Sequence, residues 1–132
     1  MKRNLTFGLM VQSYDEAIDF YTNKLGFVVI EDMPMGDDRW VTITVPGNRD
    51  SIITLHEAKT EIDRALVGKQ FGTFPYLGLT TEDCIDDYTR MKARGVKFHG
   101  EPNAQPYGTG VMIEDLYGNK IYLNQDPEGH SV

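Results

Sequence analysis

Histidines and carboxylates are the first residues in this sequence that could do chemistry. His56 and Glu57 stand together in SIITLHEA, and alternation along a strand would place His56 on the same face as Thr54. The pair also begins the zinc-protease pattern H-E-x-x-H, but the pattern's last position is threonine and the segment follows a strand, so the match is accidental. His99 ends a predicted strand, and His130 lies in a polar tail. A metal site centred on His56 is kept as an alternative.

The remaining reactive side chains point to structure more than to catalysis. Cys84 stands beside Ile85 on a predicted helix, which favours a buried position over a nucleophilic one. Glu114 and Asp115 precede a turn, where carboxylates cap backbone groups or face solvent. The sequence offers no phosphate-binding glycine loop and no Ser-His-Asp spacing. It therefore assigns no catalytic residue.

Aromatic and hydroxyl side chains form a second group, suited to binding a molecule. In RWVTITV, alternation places Trp40, Thr42 and Thr44 on one face and aliphatic residues on the other. A core tryptophan is the simpler reading, but the threonines favour a lined and partly wet cavity. In NKIYLNQ, Tyr122 faces away from its apolar neighbours, and Tyr107 stands in the predicted loop EPNAQPYGTG.

Two runs of elements in the same order position these residues. The first is a strand (LTFGLMV), a helix (SYDEAIDFYTNKLG) and three strands (FVVIEDMP, DDRWVTITVPG and SIITLHEA). The second is a strand (YLGLTT), a helix (TEDCIDDYTRMKARG) and three strands (VKFHG, TGVMIED and NKIYLNQ). A Ser13–Glu16 capping box and Gly26 bound the first helix, whereas Thr81 and Gly95 bound the second.

This repetition predicts one domain over residues 1–132, built from units 4–57 and 74–125 and a linker, 58–73. In the linker, Ile62, Ala65 and Leu66 could form one or two helical turns, followed by a loop at GKQFG. A connector of this length usually serves a binding site or is mobile.

Composition limits the partners and the compartment. The 132 residues carry a formal net charge of −7, which disfavours nucleic acid and anionic membranes. No apolar run could span a bilayer, and the N-terminus lacks a signal-peptide cleavage site. The single cysteine excludes an internal disulfide and fits a reducing cytoplasm.

The segments AIDFYTNKLGF and DLYGNKIYL, within two βαβββ runs, resemble the vicinal oxygen chelate superfamily of glyoxalases, extradiol dioxygenases, fosfomycin-modifying enzymes and bleomycin-resistance proteins. The resemblance implies an α+β fold in which two pseudo-symmetric βαβββ units form a cupped mixed sheet with helices outside and a shared cleft. It also implies a homodimer.

In metal-dependent members of that family, histidine and glutamate ligands stand on the first and last strands of each unit. Transferring those places onto this sequence gives Thr6, Thr54, Tyr76 and Tyr122. Neutral hydroxyls are poor ligands for such cations beside imidazole and carboxylate. The resemblance therefore implies a site with no metal and no cofactor.

The favoured hypothesis is a cytoplasmic protein of the resistance or sequestration type that binds a small, partly aromatic organic molecule. Its predicted binding residues are Thr6, Trp40, Thr42, Thr54, His56, Tyr76, Tyr107 and Tyr122. One alternative is a metal-dependent lyase or dioxygenase with ligands displaced to the neighbourhood of His56. Another is a metal-free enzyme, or a structural domain without an open pocket.

Overall fold

The chain folds into two compact units in a computed structural model that describes residues 4–127. The boundary between the units falls after Gln70. Each unit has the order βαβββ and contains its own four-stranded mixed sheet. The predicted α+β class with two βαβββ units is confirmed. Within residues 4–127, no helix is long and apolar enough to cross a membrane.

Unit 1 contains four strands and two α-helices. They are β1 (Leu5–Val11), α1 (Tyr14–Asp19), β2 (Val28–Met35), β3 (Asp38–Thr44), β4 (Ser51–Glu57) and α2 (Glu61–Leu66). The strand order is β1-β4-β3-β2, with β1 parallel to β4 and the other pairs antiparallel. A π-helical turn, Phe20–Lys24, continues α1.

The helical segment formed by α1 and its π-helical continuation begins and ends where the sequence predicts. The Ser13 hydroxyl oxygen accepts a hydrogen bond from the Glu16 backbone N–H over 3.3 Å, which satisfies one of the free donors at the helix start. Gly26 follows the helical segment with a φ of 80°, a conformation that glycine adopts without strain. The apolar side of the helix then meets the sheet in a core of Leu9, Val11, Ala17, Tyr21, Val41, Ile43, Ile53 and Leu55, all buried.

Unit 2 contains four strands and one helix. They are β5 (Pro75–Thr80), α3 (Cys84–Ala93), β6 (Lys97–Gln105), β7 (Gly108–Glu114) and β8 (Lys120–Gln125). The strand order, β5-β8-β7-β6, repeats that of unit 1. Its core consists of Cys84, Met91, Val96, Val111, Ile113, Ile121 and Leu123.

Two expectations about local structure need correction. The predicted loop EPNAQPYGTG is mostly strand, because β6 resumes pairing with β7 at Asn103 after a register shift and turns only at residues 106–107. The cap of α3 is Asp83, whose carboxylate accepts the Asp86 N–H, and not Thr81. The predicted linker, 58–73, spans the boundary after Gln70. Its helical turns are confirmed as α2.

The two units repeat one contact between the last strand and the helix start. In unit 1 the Tyr14 N–H donates to Glu57 Oε2 over 3.2 Å. In unit 2 the Cys84 N–H donates to Gln125 Oε1 over 2.9 Å. Both donors lie in the first helical turn, where backbone N–H groups lack helical partners. The shared contact shows that the repeat extends to side-chain capping.

Candidate ligand-binding site

Side chains on the sheet of unit 1 that point away from α1 form a surface that we name the polar face. One row crosses the strands in the order β1, β4, β3 and β2 as Gly8, Thr54, Thr42 and Glu31. The neighbouring row holds Met10, His56, Trp40 and Met33. The predicted residues Trp40, Thr42, Thr54 and His56 therefore share one face.

Glu31 reaches the polar face because β2 contains a bulge. The pairing of β2 with β3 shifts register between Val29 and Glu31, so Glu31 lies opposite Thr42. Strict alternation from Val29 would instead have placed Glu31 opposite Val41, on the side of the core. Bulges re-aim side chains in this way. Glu31 is not among the binding residues predicted from the sequence, although a carboxylate directly after the apolar run FVVI indicates irregular pairing.

The Glu31 carboxylate is held by two neutral donors. The indole N–H of Trp40 donates to Glu31 Oε1 over 3.0 Å, and the Thr42 hydroxyl donates to the same oxygen over 3.2 Å. Thr42 is almost fully buried, whereas Trp40 and Glu31 are half-buried. The contacts fix the orientation of the indole and leave part of it accessible.

His56 and the threonines complete the polar face. His56 is exposed, and its ring lies over Gly8, where a Cβ would come within 3.0 Å of His56 Cδ2. Thr54 is buried between the strands at 6% exposure, whereas Thr6 is exposed on β1. Glu57 belongs to the opposite side, since it caps α1 and accepts from Lys59 Nζ over 3.0 Å. His56 and Glu57 therefore do not converge.

The predicted tyrosines belong to unit 2 and have separate environments. The half-buried Tyr122 ring covers Gly110, and it lies opposite Gly78 on β5 and Met112 on β7. Tyr76 is half-buried at the position where the β5–β8 ladder shifts register. Tyr107 is 67% exposed in the β6–β7 turn. Ligand binding by these residues stays a prediction.

A surface pocket of about 320 Å³ lies elsewhere in unit 1. Gln12, Ala58, Arg64 and Val67 line it, which places it beside α2 and the ends of β1 and β4. Arg64 donates to the Lys59 carbonyl oxygen over 3.1 Å and is therefore partly engaged. None of the predicted binding residues lines this pocket.

The chain belongs to the Glyoxalase/Bleomycin resistance protein/Dioxygenase superfamily, whose family model matches residues 5–131. A protein of Shewanella frigidimarina (strain NCIMB 400), described as uncharacterized, is 43% identical over 122 residues, which are 90% of each chain. The predicted family is confirmed.

Two solved structures show the same fold. UcmS2 is 31% identical, with a TM-score of 0.82 over 94% of this chain and 98% of its own. TnmS3, an antibiotic binding protein from Streptomyces sp. CB03234, is 29% identical, with a TM-score of 0.78 over 96% of this chain and 98% of its own.

The side chains that could bind a metal ion are dispersed among the described residues. Within residues 4–127, no three His, Cys, Asp or Glu side chains are grouped to hold an ion. The four transferred ligand places carry only threonine and tyrosine, and Tyr122 lies over Gly110. His99 Nε2 does contact Glu114 Oε2 at 2.5 Å, but the third group there is Lys97, a cation. His130 lies outside the described residues.

Proposed function

We propose that this protein binds a small, partly aromatic organic molecule without a metal, as a sequestration or resistance protein. The observation that carries the proposal is the Trp40–Glu31–Thr42 arrangement on the polar face, where an oriented and accessible indole stands among hydroxyl groups. Aromatic rings bury large apolar areas and stack on flat molecules. Such a surface is suited to holding a planar ligand.

The relative TnmS3 supports the same class of function. Its description as an antibiotic binding protein concerns a chain of the same length range and fold, at 29% identity. Fold alone does not decide function, because ligand chemistry resides in the site. The aromatic and hydroxyl residues of the polar face support extending a ligand-binding role from TnmS3 to this chain.

Binding to a panel of planar aromatic compounds tests the proposal. Isothermal titration should give saturable binding, accompanied by a change in fluorescence of Trp40, the sole tryptophan. Trp40→Phe should weaken binding without unfolding the protein. Tyr88→Phe, on α3, serves as a control that should bind normally. Absence of binding by every planar compound would refute the proposal.

Metal analysis tests the alternative of a lyase or dioxygenase with displaced ligands around His56. Zinc, nickel and manganese should neither raise the unfolding temperature nor remain after dialysis, because the polar face offers them one imidazole and one carboxylate, and no group of three such ligands occurs within residues 4–127. Stoichiometric metal that His56→Ala removes would establish the alternative and refute the metal-free proposal.

We also infer a homodimer in the cytoplasm. C₂ dimers are the commonest oligomers, and sedimentation at micromolar concentration should give twice the 15.0 kDa chain mass. The single cysteine, Cys84, is free and buried, which suits a reducing compartment. The formal net charge of −7 supports a small-molecule partner over nucleic acid or an anionic membrane.

A further inference from the structure

The two oxygens of the Glu31 carboxylate differ in their hydrogen bonding. Oε1 accepts both the Trp40 indole N–H and the Thr42 hydroxyl. Among residues 4–127, Oε2 has no hydrogen-bond partner. A half-buried carboxylate oxygen can accept further hydrogen bonds, and those from charged donors are the strongest. Glu31 is therefore a preformed acceptor on the polar face.

No cation of the described residues neutralises Glu31. The nearest arginine in sequence is Arg39, and its guanidinium pairs with Asp15 and Asp32, each at 2.9 Å. Lys59 pairs with Glu57 at 3.0 Å and with Asp38 at 3.6 Å. Both basic side chains are thus committed to other carboxylates. The negative charge of Glu31 remains available to a ligand.

The surroundings of Glu31 are apolar and polarizable. Trp40 adjoins the carboxylate, and Met33 lies opposite Trp40 on β2 with 46% of its surface exposed. Met10 and His56 continue this row across β4 and β1. An indole face attracts cations as well as aromatic rings, and methionine sulfur adapts to flat groups. One surface therefore combines a carboxylate with a platform for a flat cation.

We propose that Glu31 selects a planar organic cation, with a protonated nitrogen donating to its Oε2 and the ring resting on Trp40. This inference rests on the proposed function and adds the ligand's charge. The acidic chain, with a formal net charge of −7, would also attract such a cation over a distance. Long-range attraction acts on any cation, whereas the hydrogen bond to Glu31 favours a cation that carries a donor at the correct position.

A purely structural role for Glu31 is the competing explanation, and glutamine separates the two. Glu31→Gln keeps an oxygen that can accept from Trp40 and Thr42, so the indole stays in place. It removes the charge and supplies an N–H₂ group that repels a donor. The matched control is Asp37→Asn, which removes the same charge from the exposed turn of the same hairpin.

The experiment compares aminoacridine, a planar cation, with acridine, which is neutral at mildly alkaline pH. Titration calorimetry measures both against the wild-type protein and the two variants. Wild type should bind aminoacridine more tightly than acridine. Glu31→Gln should lose aminoacridine affinity on the order of tenfold to a hundredfold, as expected for a hydrogen bond to a charged group. Acridine affinity should change less than about twofold, within ordinary context effects.

Each outcome decides one of the two proposals. Equal losses in Glu31→Gln and Asp37→Asn would mean general charge attraction and would overturn the role of Glu31. Unchanged aminoacridine binding in Glu31→Gln would overturn it as well, while leaving the proposed function standing. If neither aminoacridine nor acridine binds the wild-type protein, the proposed role of Glu31 is overturned. In that case, binding of other uncharged planar compounds would still support the proposed function.

Discussion

The ring of Tyr122 on β8 lies directly over Gly110 on β7. An ideal Cβ at residue 110 would overlap the Tyr122 hydroxyl and approach Cε2 to 2.9 Å. The Tyr122 side chain therefore lies across the sheet towards β7. A residue with no side chain is required beneath it, so Gly110 and Tyr122 function as a pair.

Replacing Gly110 by alanine should therefore destabilise the protein by about 1–3 kcal/mol, the usual cost of overpacking. Urea unfolding measures the change. In the background of Tyr122→Ala the same replacement should cost much less, because the overlapping ring is gone. An equal cost in both backgrounds would show that the backbone, and not the tyrosine, requires glycine.

Gly8→Ala provides the comparison in unit 1. There the added Cβ would meet His56 Cδ2 at 3.0 Å, and the contact is with the far end of a movable side chain. Since alanine is otherwise favoured over glycine within a strand, stability should change by less than about 1 kcal/mol. The His56 ring should shift, which NMR of its imidazole protons would detect.

The sequence predicts the repeating fold well because alternation, capping residues and glycines are local properties. The bulge in β2 is not local. It depends on how β2 pairs with β3, and it alone brings Glu31 to the polar face. The cap of α3 is ambiguous for a different reason, since threonine and aspartate have the same capping chemistry and Thr81 and Asp83 both stand near the helix start. The structure gives the cap to Asp83, while the Thr81 hydroxyl donates to Asp87.

Loss of the Tyr14 hydroxyl should destabilise the protein in a pH-dependent way. This hydroxyl donates to Asp38 Oδ1 over 2.8 Å, and burial, followed by this hydrogen bond, raises the pKa of Tyr14 above its usual value. At neutral pH, Tyr14→Phe should cost about 0.5–1.5 kcal/mol. Because the pKa of Tyr14 is higher in the folded protein than in the unfolded chain, where it is about 10, the neutral hydroxyl stabilises the folded protein fully below about pH 10. This stabilisation is lost as the pH rises through the folded-state pKa.

The difference between wild type and Tyr14→Phe should consequently shrink in alkaline solution, as denaturant unfolding at a series of pH values would show. Tyr88→Phe is the control, because the Tyr88 hydroxyl accepts a hydrogen bond from the exposed Lys92 Nζ over 3.0 Å. Its cost should stay below about 0.5 kcal/mol. A difference for Tyr14→Phe that is constant with pH would contradict the assigned role of the hydroxyl.

Cys84 should be inert to thiol reagents in the folded protein. Its side chain is fully buried, and burial, followed by the nearby Asp87 and Asp83 carboxylates, raises the pKa of the thiol. The thiolate is the reactive form, so both effects slow modification. Dithionitrobenzoate should modify the thiol stoichiometrically in denaturant and only slowly without it. Rapid modification of the native protein would show that α3 opens readily.

Gln70 completes the free edge of β1. Its Oε1 accepts the Met10 N–H and its Nε2 donates to the Gly8 carbonyl oxygen, each over 2.8 Å. Since β1 is an edge strand, these are groups that a neighbouring strand would otherwise use. The Gln70 side chain thus supplies β1 with both the donor and the acceptor that a neighbouring strand would provide.

Gln70→Ala should accelerate hydrogen exchange at the Met10 amide while lowering global stability by less than about 1 kcal/mol, because the freed groups become hydrated. Gln70→Glu retains the acceptor and should keep Met10 protected, although it loses the donor to Gly8. Gln105→Ala, at an exposed position on β6, should leave Met10 unchanged. If Gln70→Ala leaves exchange at Met10 as slow as in wild type, the edge is protected by something other than Gln70. If glutamate and alanine accelerate it equally, the Oε1 contact does not provide the protection.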